Sequence, residues 1–593
     1  MNRQRPKNES VKIFFFFYDR KDMNKALKLY GISTIKNSRC FAISGEPLEY
    51  LDSLKLAYSH FEEYFPKPRS LYLNRLARSW AYSWNRKSGQ IFDNLRLSLH
   101  NYFAKKMFQL VALDNLIKTE RPDEVFLGKK KVSFKNLFTS DFEDISGIIK
   151  LVCAKHKVKL ISEWTGDFWP LKYLIQFLLV PRLRKVIEGE DFDYKVLLAA
   201  HHYHAINIFP LLSFLQKSRL KPLLVGRIGA ANRILDKNKI NYIEFNGEIP
   251  FKNLPDYLFT RLKFLLDLIR FLASKKTFSY RGYNLWPIFK PKLISLFLSD
   301  ALHLYTHKIF YSKLFSYVQP SQIVTVTNDS SNQTLITAAK KLSIPTLEIQ
   351  HGITSGYDGI YLKSDKLAVW GKIPKDIYSK SGVPINKMVV TGWPGYESYL
   401  NRKYAKSEIN PKNVSVTLLA QDPEGMSLLF MKKSAEENLE IFFKSVSMLG
   451  FKTKVVIRLH PRADNSILFT IAEKYGVKFR LSENETLGGL LSKTDIVVGQ
   501  TTSATLEAII MGKPVIYLPS MHWPAKFVEG SGAVFEVKTS EEIMDKINLI
   551  MKNGITGEMI AAQTKFVENY CNFPKDSNKL IVQTILGIIH GKS

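Results

Sequence analysis

Two short stretches of this chain gather residue types that bind anions. In "KVVIRLHPRAD", Arg458, His460, Pro461 and Arg462 stand at the end of an apolar run. In "VVGQTTSATLEAIIMGKPVIYLP" (497–519), Gln500, Thr501, Thr502 and Ser503 stand where an apolar run stops and a helical pattern starts. The first turn of a helix presents N–H groups without intrahelical partners and carries partial positive charge. Small hydroxyl residues cap such a turn. The same arrangement admits a phosphate, because no bulky side chain stands in its way. Each charge-assisted bond from an arginine or a protonated histidine to that phosphate adds about 1.5–3 kcal/mol. Glu507, four residues beyond Ser503, lies one turn into the helix, where it can accept from ribose hydroxyls or simply face solvent.

These residues need strands behind them. Strand and helix patterns alternate through "DFDYKVLLAAHHYHAINIFPLLSFLQ", "SQIVTVTNDSSNQTLITAAKKLSIPTLEIQHG" and "DKLAVWGKIPKDIYSKSGVPINKMVVTGWPG". They resume in "VSVTLLAQD", "KVVIRLHPRAD", "DIVVGQTTS", "KPVIYLP" and "GAVFEV". This alternation predicts an α/β fold with parallel sheets, whose ligands collect beyond the carboxyl ends of the strands. The polar stretch "NRKYAKSEINPKN" (401–413) reads as a linker. It separates a Rossmann-like acceptor domain (191–405) from a Rossmann-like donor domain (406–593), with the cleft between them as the natural site. Residues 1–190 form an N-terminal α/β extension in which "VKIFFFF" and "DEVFLG" read as strands and "GIIKLVCAKHKVKLIS" as helix then strand.

In the acceptor half, three strand ends carry polar residues: "HHYH" (201–204), "TNDSSN" (327–332) and "QHG" (350–352). His201, Asp329 and His351 are the candidate bases for activating a hydroxyl; capping or loop bonding is the plain structural role of each. Two patterns are set aside. "DFD" (191–193) matches an Asp-X-Asp metal signature but precedes its strand, at the end opposite to ligand binding. His201 and His204 have zinc-like spacing without a thiol or acidic partner. Neither a Walker loop nor a G-x-G-x-x-G fingerprint occurs, and no metal or other cofactor is expected.

The chain has 593 residues, enough for two or three domains. Its 85 Lys and Arg against 54 Asp and Glu give a formal charge of +31, which suits nucleic acid, an anionic membrane or acidic substrates. No zinc-finger spacing, RNP-type motif or basic repeat supports nucleic acid. Three scattered cysteines fit a reducing compartment without disulfides. The basic start followed by "IFFFFY" imitates a signal peptide but is too short, and reads instead as a first buried strand. No run approaches the ~18 apolar residues of a membrane span. Residues 257–276 and 292–318 combine apolar faces with Lys and Arg at helical spacing. Such stripes are core-facing helices or helices lying on an anionic leaflet.

The pattern "IRLHP" followed by "TDIVVGQTTSATLEAIIMGKPVI" resembles GT-B-fold glycosyltransferases of bacterial surface and capsular polysaccharide synthesis. It is similar to Kdo transferases, to sialyltransferases with a His-Pro motif and to CDP-glycerol polyol-phosphate transferases. The resemblance covers residues 200–580 and is strongest after 412. It implies that His460, with Thr502 and Ser503, binds the phosphate of a nucleotide-sugar donor, with a CMP-linked sugar favoured. The acceptor is then a surface polysaccharide or lipid-linked glycan, and the enzyme is cytoplasmic and peripheral on the inner face of the membrane. Cationic side chains and a helix terminus would stabilise the leaving phosphate as a metal does elsewhere. One departure stands out: "QDPEGM" (421–426) is similar to the acidic-acidic-Gly motif of some sialyltransferases, but Pro423 replaces one acid and the segment lies in the donor domain. It is read as a loop lining the donor. A nucleotide-sugar 2-epimerase or polyol-phosphate transferase fits the same scaffold, and a basic scaffold or nucleic-acid-binding protein is the reading of another class.

Overall fold

The computed structural model describes residues 11–18, 20–42, 51, 54–59, 61–66, 72–73, 75–81, 96–128, 145–162, 183–184, 195–200, 208–218, 220–226, 232–244, 249–250, 255, 258–259, 262, 266, 278–295, 302–326, 330–354, 362–396, 399, 414–420, 430–459, 466–482, 485–519 and 527–591. Three parallel sheets organise them.

The first sheet holds β1 (Ile13–Phe17), β2 (Arg39–Ala42), β3 (Tyr58–Ser59), β4 (Glu124–Leu127) and β5 (Lys159–Ser162), in the order β3-β2-β1-β4-β5. All five residues of "IFFFF" are buried. A central parallel strand is covered on both faces, so it needs apolar residues at every position rather than at alternate ones. Phe14 and Phe16 pack with the helix Arg96–Glu120 on one face, and Phe15 and Phe17 with the helix Arg20–Lys36 on the other. The apolar run near the start of the chain is therefore the core of a domain.

The second sheet contains β7 (Val196–Ala199), β8 (Pro222–Gly226), β9 (Tyr242–Glu244), β13 (Gln322–Thr325), β14 (Thr346–Ile349), β15 (Lys366–Val369) and β16 (Met388–Val390), in the order β16-β15-β14-β13-β7-β8-β9. A short parallel pair, β6 (Leu183–Arg184) with β10 (Ile249–Pro250), and a hairpin, β11 (Ser279–Tyr280) with β12 (Tyr283–Asn284), stand apart from it. Between β9 and β13 the chain returns to the first domain, where Phe278, Tyr283, Phe289 and Leu293 enter the core. The Tyr283 hydroxyl donates to Asp114 Oδ1 at 2.5 Å, and His156 Nε2 lies 2.8 Å from the same oxygen. The helix Leu302–Val318 then leads back, burying Tyr311, Leu314, Phe315 and Val318 against the second sheet. Within the basic-apolar stretch 292–318, Leu293, Leu304, Tyr311, Leu314, Phe315 and Val318 are thus core, whereas the apolar residues described within 257–276 are exposed.

The third sheet contains β17 (Val414–Leu419), β18 (Thr453–Arg458), β19 (Phe479–Leu481), β20 (Ile496–Gly499), β21 (Val515–Tyr517) and β22 (Phe535–Glu536), in the order β19-β18-β17-β20-β21-β22. Counted from its own first main strand, each sheet has the doubly wound order 3-2-1-4-5, extended in the second and third. The second and third sheets are the expected pair of Rossmann-like domains, and the N-terminal extension adds a further sheet of the same kind.

The last helices tie the two together. The backbone of the helix Gly557–Cys571 passes so close to Gly371 that a Cβ there would lie 2.3 Å from the Asn569 carbonyl oxygen. The final helix, Ser577–Ile589, places Ile581, Val582 and Ile585 in the core of the second sheet. Ser577 Oγ donates to Tyr396 Oη at 2.8 Å. The three cysteines are buried and free, which pushes their thiols up to about 12. Among the described residues, no helix is long and apolar enough to cross a membrane.

Candidate functional site

In a doubly wound sheet the crevice opens where strand order reverses, between the first and fourth strands. In the third sheet these are β17 and β20, paired at Leu419 and Gly499, with Leu419 also paired to Arg458. The chain therefore leaves β17, β18 and β20 at one end of the sheet. Residues 421–429 and 460–465 lie outside the described residues, and with them His460, Pro461 and Arg462. Their strands bring the chain to this end.

The turn 500–503 is fully described, and its four polar residues divide into two pairs. Gln500 and Thr501 point inward and are buried. Thr501 Oγ1 lies 2.7 Å from the Tyr517 hydroxyl, which donates to Glu529 Oε1 at 3.2 Å. Gly499 lets this turn close: a Cβ there would stand 2.7 Å from Thr505 Oγ1, which donates to the Gln500 carbonyl at 2.6 Å. Thr502 and Ser503 are only half-buried. Thr502 is the cap, with Oγ1 accepting from Thr505 N at 3.3 Å. Its own N–H is taken by the Gln500 carbonyl at 2.8 Å. Among the described residues, the N–H groups of Ser503 and Ala504 and the Ser503 hydroxyl have no hydrogen-bond partner. Cap and cradle coexist here.

Two charged groups flank this turn. Arg458 anchors the end of β18 by donating from one guanidinium nitrogen to the Ser482 carbonyl at 2.6 Å and the Glu485 carbonyl at 3.1 Å. Glu507 accepts a short hydrogen bond from the Tyr399 hydroxyl, a partner that sequence spacing did not suggest. Burial pushes the Glu507 carboxyl up to about 7, against the opposing pull of the Tyr399 hydrogen bond and the Arg458 charge. A carboxyl poised there exchanges protons near neutrality.

On the acceptor side, His201 and Asp329 follow β7 and β13, the first and fourth strands of the second sheet, but both lie outside the described residues. His204, "DFD" and the linker 401–413 are outside them as well. His351 is exposed just past β14. Its turn is held by Gln350, whose amide donates to the Gly352 carbonyl at 3.0 Å while its Oε1 accepts from Trp370 N at 2.8 Å. Gly352 sits at φ 66°, where a side chain would be strained. Ile353 packs against a core shared by Trp370, Tyr396 and Tyr399 of the second domain and Leu506 and Tyr570 of the third. The structure thus brings the His351 turn and the Ser503 helix to one inter-domain core. The sequence reading missed a second polar pair: Ser331 Oγ lies 2.8 Å from His307 Nδ1, at the helix start following β13. His307 was hidden in a stretch read only for its apolar stripe. Among the described residues, no group of three or more His, Cys, Asp or Glu side chains can hold a metal ion.

No protein-family model matches the chain, and no curated protein is similar to it in sequence. Solved structures are similar in fold at low identity. A UDP complex of S. aureus MnaA is 14% identical over 67% of this chain and 97% of that one, with a TM-score of 0.44. A glycosyltransferase from Rickettsia africae is 13% identical over 68% and 100%, with a TM-score of 0.44. A UDP-GlcNAc 2-epimerase from Neisseria meningitidis bound to UDP-GlcNAc is 14% identical over 66% and 99%, with a TM-score of 0.40.

Proposed function

We propose that this protein is a GT-B glycosyltransferase that moves a sugar from a nucleotide-sugar donor, CMP-linked in preference, to a surface polysaccharide or lipid-linked glycan. One observation carries the reading: the helix Ser503–Ile510 starts at the crevice of the third sheet with two N–H groups and an outward hydroxyl free among the described residues. Groups of this kind, fixed before the substrate arrives, stabilise charge that develops on a leaving phosphate. In this reading His460 and Arg462 add cationic donors on the loop after β18, Pro461 ends the strand, and Arg458 holds that strand end in place. Gln500 and Thr501 shape the turn from beneath. Glu507 takes the ribose hydroxyls in exchange for Tyr399. His351 is the favoured base for the acceptor hydroxyl, with Asp329 and His201 the other candidates.

Replacing Thr502 and Ser503 together by alanine tests the assignment. Turnover at saturating donor falls by about a hundredfold or more, while the lost cap costs only about 1 kcal/mol of stability. Wild-type turnover in that variant removes the phosphate role. Because the protein supplies its own donors to the leaving group, activity persists in excess EDTA; loss on chelation with recovery in manganese or magnesium contradicts this.

A second reading has one observation in its favour. A carboxyl titrating at about 7 beside the donor crevice suits proton transfer on the donor sugar itself, as in a nucleotide-sugar 2-epimerase. Product analysis separates the two: glycosyl transfer releases free nucleotide, and epimerisation does not.

A further inference from the structure

We propose that Ser331 holds the acceptor hydroxyl at the crevice of the second sheet, with His307 and Tyr311 fixing its orientation. The inference rests on the glycosyl-transfer reading and supplies its acceptor side. The helix Ser330–Lys341 starts after β13, the fourth strand of the second sheet, as the helix Ser503–Ile510 starts after β20, the fourth strand of the third. Each start therefore stands where strand order reverses and ligands collect. β13 pairs in parallel with β14, so its carboxyl end lies beside the His351 turn, whose Ile353 packs against the third domain. The Ser331 helix start thus belongs to the end of the second sheet that meets the donor half.

Ser331 is bonded to side chains of another helix. Its Oγ lies 2.8 Å from His307 Nδ1 and 3.2 Å from the Tyr311 hydroxyl. Both partners come from the helix Leu302–Val318, where their four-residue spacing sets them on one face, and both are 3% exposed. Ser331 itself is only half-buried. Burying an imidazole and a phenol costs free energy unless they are hydrogen-bonded, and a hydroxyl at a helix start caps the helix through backbone N–H groups without any need of an imidazole. The arrangement serves to orient one hydroxyl. With Nδ1 unprotonated, Ser331 donates to it and accepts from Tyr311, which concentrates negative charge on the serine oxygen. That oxygen suits a hydrogen bond donated by a sugar hydroxyl, and a hydroxyl held by its proton presents its own lone pairs to the anomeric carbon of the donor.

Steady-state kinetics on the full chain test this, with a panel of CMP- and UDP-linked sugars as donors and purified capsular and lipopolysaccharide glycans as acceptors. Ser331→Ala raises the acceptor KM by about tenfold, the loss of one well-placed hydrogen bond, and leaves the donor KM unchanged. The fold survives, since alanine favours the helix. Ser331→Thr keeps a hydroxyl and recovers most of the acceptor affinity. Tyr311→Phe and His307→Asn each give a smaller rise in acceptor KM, because the first removes one hydroxyl and the second keeps a polar atom near the place of Nδ1. A clasp between the two helices with no acceptor role predicts a lower melting temperature for Ser331→Ala with the acceptor KM unmoved. That result, or an equal change in donor and acceptor KM, overturns the proposal while the transfer reading stands. Absence of transfer by the wild type from every donor overturns the transfer reading, and the acceptor assignment falls with it.

Discussion

The first and third sheets share a strand order, and each starts a helix beside the gap between its first and fourth strands. The described side chains at these two gaps differ in charge. In the first domain the position is taken by Asp22, in the first turn of the helix Arg20–Lys36, whose buried carboxylate accepts from Tyr18 N at 3.0 Å. It presses so closely on Gly128, just past β4, that a Cβ there would lie 2.2 Å from Asp22 Oδ2. The protein's own acid thus puts negative charge at the helix start, which opposes a phosphate there. In the third domain the described helix start beside this gap follows the fourth strand rather than the first, and it carries hydroxyls and N–H groups free among the described residues, with Glu507, one turn on, held by Tyr399. Similar topology gives similar crevices; the side chains at the helix start set the charge each presents.

The comparison breaks most sharply if the third crevice is given the side chain of the first. Ser503→Asp places a carboxylate in the first turn, where it favours the helix by about 0.3–1 kcal/mol. It also opposes the donor phosphate, and like charges in contact cost several kcal/mol. The expected result is a melting temperature at or above wild type with turnover down by about a thousandfold. Retained turnover means that the donor phosphate lies elsewhere.

The converse change tests the closed crevice. Gly128→Ala forces a methyl group onto Asp22 and destabilises the protein by about 1–3 kcal/mol, read as a lower thermal midpoint with little change in turnover below it. Adding Asp22→Ala recovers part of the loss. If Gly128→Ala alone lowers turnover in proportion to the Ser503 variant, the first crevice is functional after all.

A smaller effect concerns Glu507. Its folded pKa, about 7, is raised from the ordinary value of 4.5. Between these values the folded protein holds more protons than the unfolded chain, so this group's contribution falls as pH rises from 4.5 to 7 and is level above. Glu507→Gln removes that component: the variant gains stability relative to wild type at pH 8 compared with pH 5. Parallel pH profiles for the two proteins contradict the raised value.

Most of the architecture was legible because central parallel strands are apolar throughout. "VKIFFFF", "VSVTLLAQD" and "DIVVGQTTS" became β1, β17 and β20. Short edge strands such as β3 and β19, with a few half-buried residues each, left no such signal. The Thr502 cap was readable from local chemistry, as caps are contacts within one turn. The Tyr399–Glu507 bond, the Ser331–His307 pair and the return of residues 278–304 to the first core join positions far apart in the chain or hidden in apolar stretches. A periodic pattern does not encode such pairings. The two basic-apolar stretches make the same point, since similar composition gave buried Tyr311, Leu314, Phe315 and Val318 in one and exposed Leu258, Phe259, Leu262 and Leu266 in the other.

Nucleotide binding at the third crevice is the central claim, and a thermal-shift panel of CMP, CDP, UDP and GDP with wild type and Ser503→Asp tests it most directly. A ligand at 100 times its dissociation constant adds about 2.7 kcal/mol of stability. The account predicts that at least one nucleotide raises the wild-type melting temperature and leaves the Ser503→Asp protein unmoved. No response from any nucleotide, or an equal response from both proteins, contradicts it.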